Sequence, residues 1–200
     1  MAAQKILGTR GWAKAVAALA MTLTALVAAP GAAGAAGTAG GAAGGGEFAA
    51  QARTAGLTGA QAKSLQKRVD GYLASTGGTQ VAANKIALPG GELLLTLPGE
   101  RKARDLDATA VPGDTVGTCR YSYVCAYKFE NYTGDQFDMF TCNHLFRIEW
   151  NTTGSWINNQ RSDLYADFYD KTKVIRWTSP GGLSYDSQAD WRWVWYVSPC

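Results

Sequence analysis

One stretch of the chain carries apolar positions at helical spacing: Ala62, Leu65, Val69, Tyr72 and Leu73 fall on a single face. Thr58, followed three residues later by Gln61, forms a capping pattern ahead of it, and Gly77-Gly78 follows it. The spacing predicts one amphipathic helix over about 60–75. Gln80 to Leu88 alternates in the manner of a strand, Pro89-Gly90-Gly91 turns the chain, and Glu92 to Leu97 returns as a second strand. A helix and a hairpin of this size hold too little core to stand alone, so the module of residues 57–100 must lean on something else. Beyond it the pattern changes to short aromatic and β-branched runs broken by Asn, Asp, Gly and Thr, with no helical period. Val124 to Phe129, Gln136 to Thr141, Phe146 to Trp150, Asp163 to Tyr169, Val174 to Trp177 and Trp191 to Val197 are the predicted strands of an all-β domain over residues 118–200.

Composition sharpens this division. Of the 22 aromatic residues only Trp12, Phe48 and Tyr72 precede position 119. Residues 37–56 are rich in Gly and Ala and cannot bury enough apolar surface to offset the entropy of ordering, so a disordered linker is expected there. A second linker is read over 101–117, which is polar and carries Pro112-Gly113. The net charge of +3 comes from Lys5, Arg10 and Lys14, and an apolar run over 15–29 follows them. This is the pattern of a secretory signal peptide, expected over 1–36. Without that leader the chain is neutral, which argues against a nucleic-acid partner. Once the leader is removed no membrane partner is expected either. Export implies an oxidising compartment, where Cys119, Cys125, Cys142 and Cys200 read as two disulfides with three connectivities open.

The run Tyr127-Lys128-Phe129-Glu130-Asn131-Tyr132-Thr133-Gly134 places an aromatic, four residues, a second aromatic, one residue and a glycine in order. Two rings can stack across such a turn while the glycine takes a positive φ. With Cys119-x5-Cys125-x-Tyr127 and Trp156-Ile157-Asn158-Asn159, the segment from about 117 to 200 resembles the βγ-crystallin-like secreted peptidase inhibitors typified by the streptomycete metalloproteinase inhibitor. The resemblance implies a βγ-crystallin-like Greek-key sandwich with two disulfides, behind the small helix plus β-hairpin module. It implies a monomer that binds an extracellular protease through a rigid surface loop, not an enzyme, with no required cofactor. It also implies pairing of Cys119 with Cys125 and of Cys142 with Cys200. A second key should repeat the aromatic-to-glycine pattern, yet Phe168-Tyr169-Asp170-Lys171-Thr172-Lys173-Val174-Ile175 has no glycine. The 57–100 module itself resembles one that recurs in exported bacterial proteins ahead of different small domains, in Val69-Asp70-Gly71-Tyr72-Leu73 and in the run from Gly77 to Ile86.

Two further constellations carry a binding reading and a bland one side by side. Asn158, Asn159 and Ser162 resemble half of a crystallin calcium site, since calcium takes oxygen ligands of this kind. The same residues also suit a turn held by side-chain hydrogen bonds. Trp191, Trp193 and Trp195 alternate, so a strand would place three indoles on one face. That face could bind cell-wall glycan or another protein, as in a non-inhibitory secreted module, or it could fill the core. His144 stands in no catalytic motif.

Overall fold

The computed structural model describes residues 43–107 and 115–200; the expected signal peptide over 1–36 lies outside them. Helix α1 spans Ala43–Thr54 and α2 spans Gly59–Thr76. At the start of α2 the Thr58 hydroxyl accepts from the Gln61 N–H at 3.3 Å, and the Gln61 side chain accepts from the Thr58 N–H at 2.9 Å. Leu65 and Val69 form its buried stripe. Helix α1 stands where composition leaves a disordered linker over 37–56, and the reason is tertiary. Phe48 and Ala52 pack on the core and the Gln51 side chain accepts from the Ala83 N–H, contacts that a local reading of Gly and Ala content does not contain.

Strands β1 (Thr79–Ala82), β2 (Lys85–Leu88) and β3 (Gly91–Leu94) form an antiparallel meander. The single strand expected over Gln80 to Leu88 is thus two. Asn84 breaks it: its buried amide donates to the Leu95 and Arg104 carbonyls, each at 2.8 Å. The expected linker over 101–117 is tied down along 101–107. The Arg101 carbonyl accepts from Gly134 N–H at 2.7 Å, and Asp105 pairs with Lys85 at 2.7 Å. Beyond 107, β4 (Thr115–Val116) pairs with β5 (Cys119–Arg120).

The remaining strands are β6 (Val124–Phe129), β7 (Thr133–Met139), β8 (Phe146–Arg147), β9 (Thr153–Asn158), β10 (Ala166–Tyr169), β11 (Ile175–Thr178), β12 (Ser184–Asp190) and β13 (Tyr196–Pro199). Two antiparallel sheets hold them. One has the order β1-β2-β3-β7-β6-β9-β12 and the other β11-β10-β13-β8. The hairpin module therefore continues the sheet of the C-terminal domain through the β3–β7 pairing, where Leu93 faces Phe137 in register. Leu65, Val69, Ile86 and Leu95 share one buried cluster with Phe137, Trp150, Trp156, Phe168 and Trp191. The described residues belong to one compact unit. The module leans on the β-sheets.

The topology has two similar halves. Strands β6 and β7 form a hairpin, β9 returns beside β6, and β8 joins the other sheet beside β13. Likewise β10 and β11 form a hairpin, β13 returns beside β10, and β12 joins the first sheet beside β9. In the first hairpin Asn131, Tyr132 and Gly134 all have positive φ, and the Tyr127 and Tyr132 rings meet edge-on at 5.6 Å. A Cβ on Gly134 would strike Phe129. Ser155 on β9 locks the turn, accepting from Tyr132 N–H at 2.8 Å and donating to the Phe129 carbonyl at 2.7 Å. In the second hairpin Lys173 takes the positive φ, at 61°. The Asp170 carboxylate there accepts from the Thr172 hydroxyl, the Thr172 and Val174 N–H groups and Arg176. Those donors, the Thr172 hydroxyl foremost, hold its carboxyl well below the usual range.

Where β3 meets β7, Glu92 stands opposite Asp138. Burial above all, with the negative Glu92 adding, pushes the Asp138 carboxyl up from 3.8 to about 7, against the hydrogen bond from Gln136. The folded state then holds this proton more tightly than the unfolded chain, so the group's contribution is full below about pH 4 and is lost as pH rises through 7. Denaturant midpoints measured from pH 4 to 8 should fall with rising pH in the native chain, and Asp138→Asn should flatten the fall. Equal slopes in the two chains would contradict the assignment.

Candidate protein-binding loop end

The two disulfides, Cys119–Cys125 and Cys142–Cys200, lie at the end of the sandwich where the β5–β6, β7–β8 and β9–β10 loops gather. The pairing is the one the family resemblance implies. Cys119 and Cys125 are buried with Tyr127 and Ile157 in a small cluster of their own. The β5–β6 loop is stitched to the β9–β10 loop by two backbone bonds, from Ser122 N–H to Asn159 O at 2.8 Å and from Asn159 N–H to Tyr123 O at 2.9 Å. Asn143 N–H donates to the Pro199 carbonyl at 3.1 Å, beside the Cys142–Cys200 bridge. The Gln160 amide donates to Cys200 Sγ at 3.0 Å. Three loops and the chain's last residues are thus held to one another by covalent and buried polar ties.

Asn158 and Asn159 take part in this stitching. The Asn158 amide donates to the Leu164 carbonyl and to Ser179 Oγ, both at 3.1 Å, while its Oδ1 accepts from Gln160 N–H at 3.2 Å. The Asn159 amide donates to the Cys119 carbonyl at 3.0 Å. Both side chains are buried, whereas Ser162 is exposed at the loop tip. These are the bonds of a turn held by side-chain hydrogen bonds, with the Asn158 oxygen accepting inside its own turn. Among the described residues no group of three or more His, Cys, Asp or Glu could hold a metal ion.

Aromatic side chains stand out from this rigid base. Tyr121 is 49% exposed, Phe140 44% and Tyr165 50%. Phe140 packs its ring against Tyr123 at 5.1 Å. Arg161 and Asp163 pair with each other at 2.9 Å on the exposed loop between them. Exposed aromatics beside a polar rim, on a base that does not need to reorganise, are what a protein-binding surface requires.

The three indoles expected on one strand face do not share one: Trp191 borders one groove with Trp193 and another with Trp195. Residues 191–195 form a turn ahead of β13, with Val194 N–H donating to the Trp191 carbonyl at 3.1 Å. At the turn the Asp190 carboxylate accepts from the main chain two positions on, Arg192 N–H, at 3.0 Å, the bond pattern of an Asx turn. Trp191 is core, and its Nε1 donates to the Tyr127 carbonyl at 2.8 Å past Gly154, where a Cβ would overlap the indole. Trp193 is exposed, and Trp195 is half-buried with Lys171 Nζ 5.0 Å above its ring. His144 packs edge-on against Phe146, 4.6 Å between ring centres.

Sequence reasoning passed over Tyr121, Phe140 and Tyr165, whose signal was an aromatic in a polar turn within a few residues of a cysteine or of the Asn pair. Among the described residues no helix is long and apolar enough to cross a membrane. The chain matches no family model, no curated protein and no solved structure.

Proposed function

We propose that this chain is an exported, monomeric peptidase-inhibitor-like protein that presents its disulfide-stitched loop end to an extracellular protease. The observation that carries the reading is the loop end itself: exposed Tyr121, Phe140 and Tyr165 on loops tied by Cys119–Cys125, Cys142–Cys200 and the buried Asn158-Asn159 pair. A loop held in place before contact loses little entropy on binding, and competitive occupation of an active-site cleft depends on that. The exchange of β8 and β12 between sheets, with the Tyr127–Gly134 hairpin locked by Ser155, supports a pair of βγ-crystallin-like Greek keys. Asp170 and Lys173 replace the missing glycine of the second key. The basic and apolar leader and the two disulfides support export. The action is binding, with no catalytic step and no cofactor.

Immobilised purified extracellular metallo- and serine proteases provide the test. The secreted chain is expected to bind at least one of them, and Tyr121→Ala with Tyr165→Ala to weaken that binding at least tenfold at an unchanged melting temperature. Binding to none, or equal binding by the double variant, would overturn the reading.

A further inference from the structure

A second surface feature shares no residue with the loop end. Between β11 and β12, the edge strands of the two sheets, runs a groove of about 200 Å³. Its floor is Trp156 and Phe168, both buried, with their rings edge-on at 5.6 Å. Trp177 leans on that floor, 5.3 Å from Trp156 and 4.9 Å from Phe168, and is 39% exposed; Trp193 flanks it at 37%. The Trp177 indole is therefore held in orientation by core residues beneath it. Asp186 and Asp190 supply the carboxylates of the lining.

The chemistry of the lining selects the occupant. Asp186 Oδ1 accepts only from its own turn, Gln188 N–H at 2.8 Å, and both Asp190 oxygens hold the Arg192 guanidinium, at 2.7 and 2.9 Å. An aliphatic peptide side chain would cover these carboxylates and offer them no donor. A cationic ligand finds the Asp190 charge already neutralised by Arg192 and is left one exposed carboxylate, Asp186, to pair with. A neutral ring with a face of C–H bonds and hydroxyl donors at its edge satisfies both parts: the face stacks on an indole and the hydroxyls donate to carboxylate oxygens. We infer that this groove binds one pyranose unit of a neutral glycan, with Trp177 and Trp193 as stacking platforms and Asp186 as hydroxyl acceptor.

Tryptophan fluorescence and calorimetric titrations with cellohexaose, chitohexaose and maltohexaose test this, the three probes separating sources that share the pyranose ring. At least one should bind with saturable quenching. Trp177→Ala should weaken it at least tenfold, Asp186→Asn severalfold, and Trp195→Ala, outside the groove, not at all. Asp186 is exposed, so Asp186→Asn reads the site even where Trp177→Ala lowers stability. Binding of none of the three, or binding unaffected by both Trp177→Ala and Asp186→Asn, would overturn the inference. Protease binding should persist in the Trp177→Ala chain, which separates this site from the loop end.

Discussion

Replacing Asp135 with alanine is expected to cost about 3–5 kcal/mol of stability, because one buried carboxylate gathers partners from both parts of the molecule. Asp135 lies on β7 with its side chain 1% exposed. It accepts from the Arg68 guanidinium and from the Tyr72 hydroxyl at 2.9 Å, both on α2. The Thr96 N–H and hydroxyl donate to it as well, at 3.0 and 3.1 Å. Trp150 Nε1 in turn donates to the Tyr72 hydroxyl at 2.9 Å, and burial, reinforced by the Asp135 charge, pushes that hydroxyl's ionisation well above its ordinary range. Truncating Asp135 leaves these donors facing a hole, whereas Arg68→Ala, at a side chain 35% exposed, leaves the carboxylate its Tyr72 and Thr96 donors and the charge of Lys128, 3.8 Å away. For a chain of this size the Asp135→Ala loss corresponds to a fall of roughly 10 °C in melting temperature. Thermal unfolding of both variants measures it. An Asp135→Ala shift no larger than that of Arg68→Ala would contradict the gathering role of Asp135.

The second large effect concerns the bridges. Cys142 and Cys200 are 58 positions apart, and on the chain-entropy model their bond contributes about 4 kcal/mol, against about 2 for the bond closing the six-position span from Cys119 to Cys125. Replacing Cys142 and Cys200 together by serine should therefore lower the melting temperature more than replacing Cys119 and Cys125. The longer bridge also ties the end of β13 to the β7–β8 loop, so its loss frees the strand between β10 and β8 in the smaller sheet. Non-reducing peptide mapping checks the pairing first. The reverse order of stability would place the short loop, with its buried cluster of Tyr127 and Ile157, at the centre of the fold.

Local signals mark α2 and β6. The capping box at Thr58 and Gln61 and the stripe through Leu65 and Val69 placed α2 within a residue at each end, because both signals lie within a few positions of one another. Strand β6 was legible for the same reason, as Val124 to Phe129 is a continuous run of β-formers with few polar interruptions. Strands β9 and β12 were not. Ser184 to Asp190 is polar because it forms a solvent-facing edge, and Thr153 to Asn158 contains a glycine demanded by the Trp191 indole, a contact 37 positions away. The joining of β3 to β7, the Asp135 network and the turn that separates Trp191, Trp193 and Trp195 all depend on residues distant in the chain or on one aspartate's choice of partner. Hydrophobic period carries no such information.

We propose that the stitched loop end occupies a protease. The residual activity of purified secreted metallo- and serine proteases, titrated with the purified chain, tests this most directly. At least one protease is expected to lose its activity at a near-stoichiometric ratio, with the midpoint moving at least tenfold for the Tyr121→Ala, Tyr165→Ala chain and staying in place for Trp177→Ala. Full activity of every protease at a large excess of the chain would contradict it.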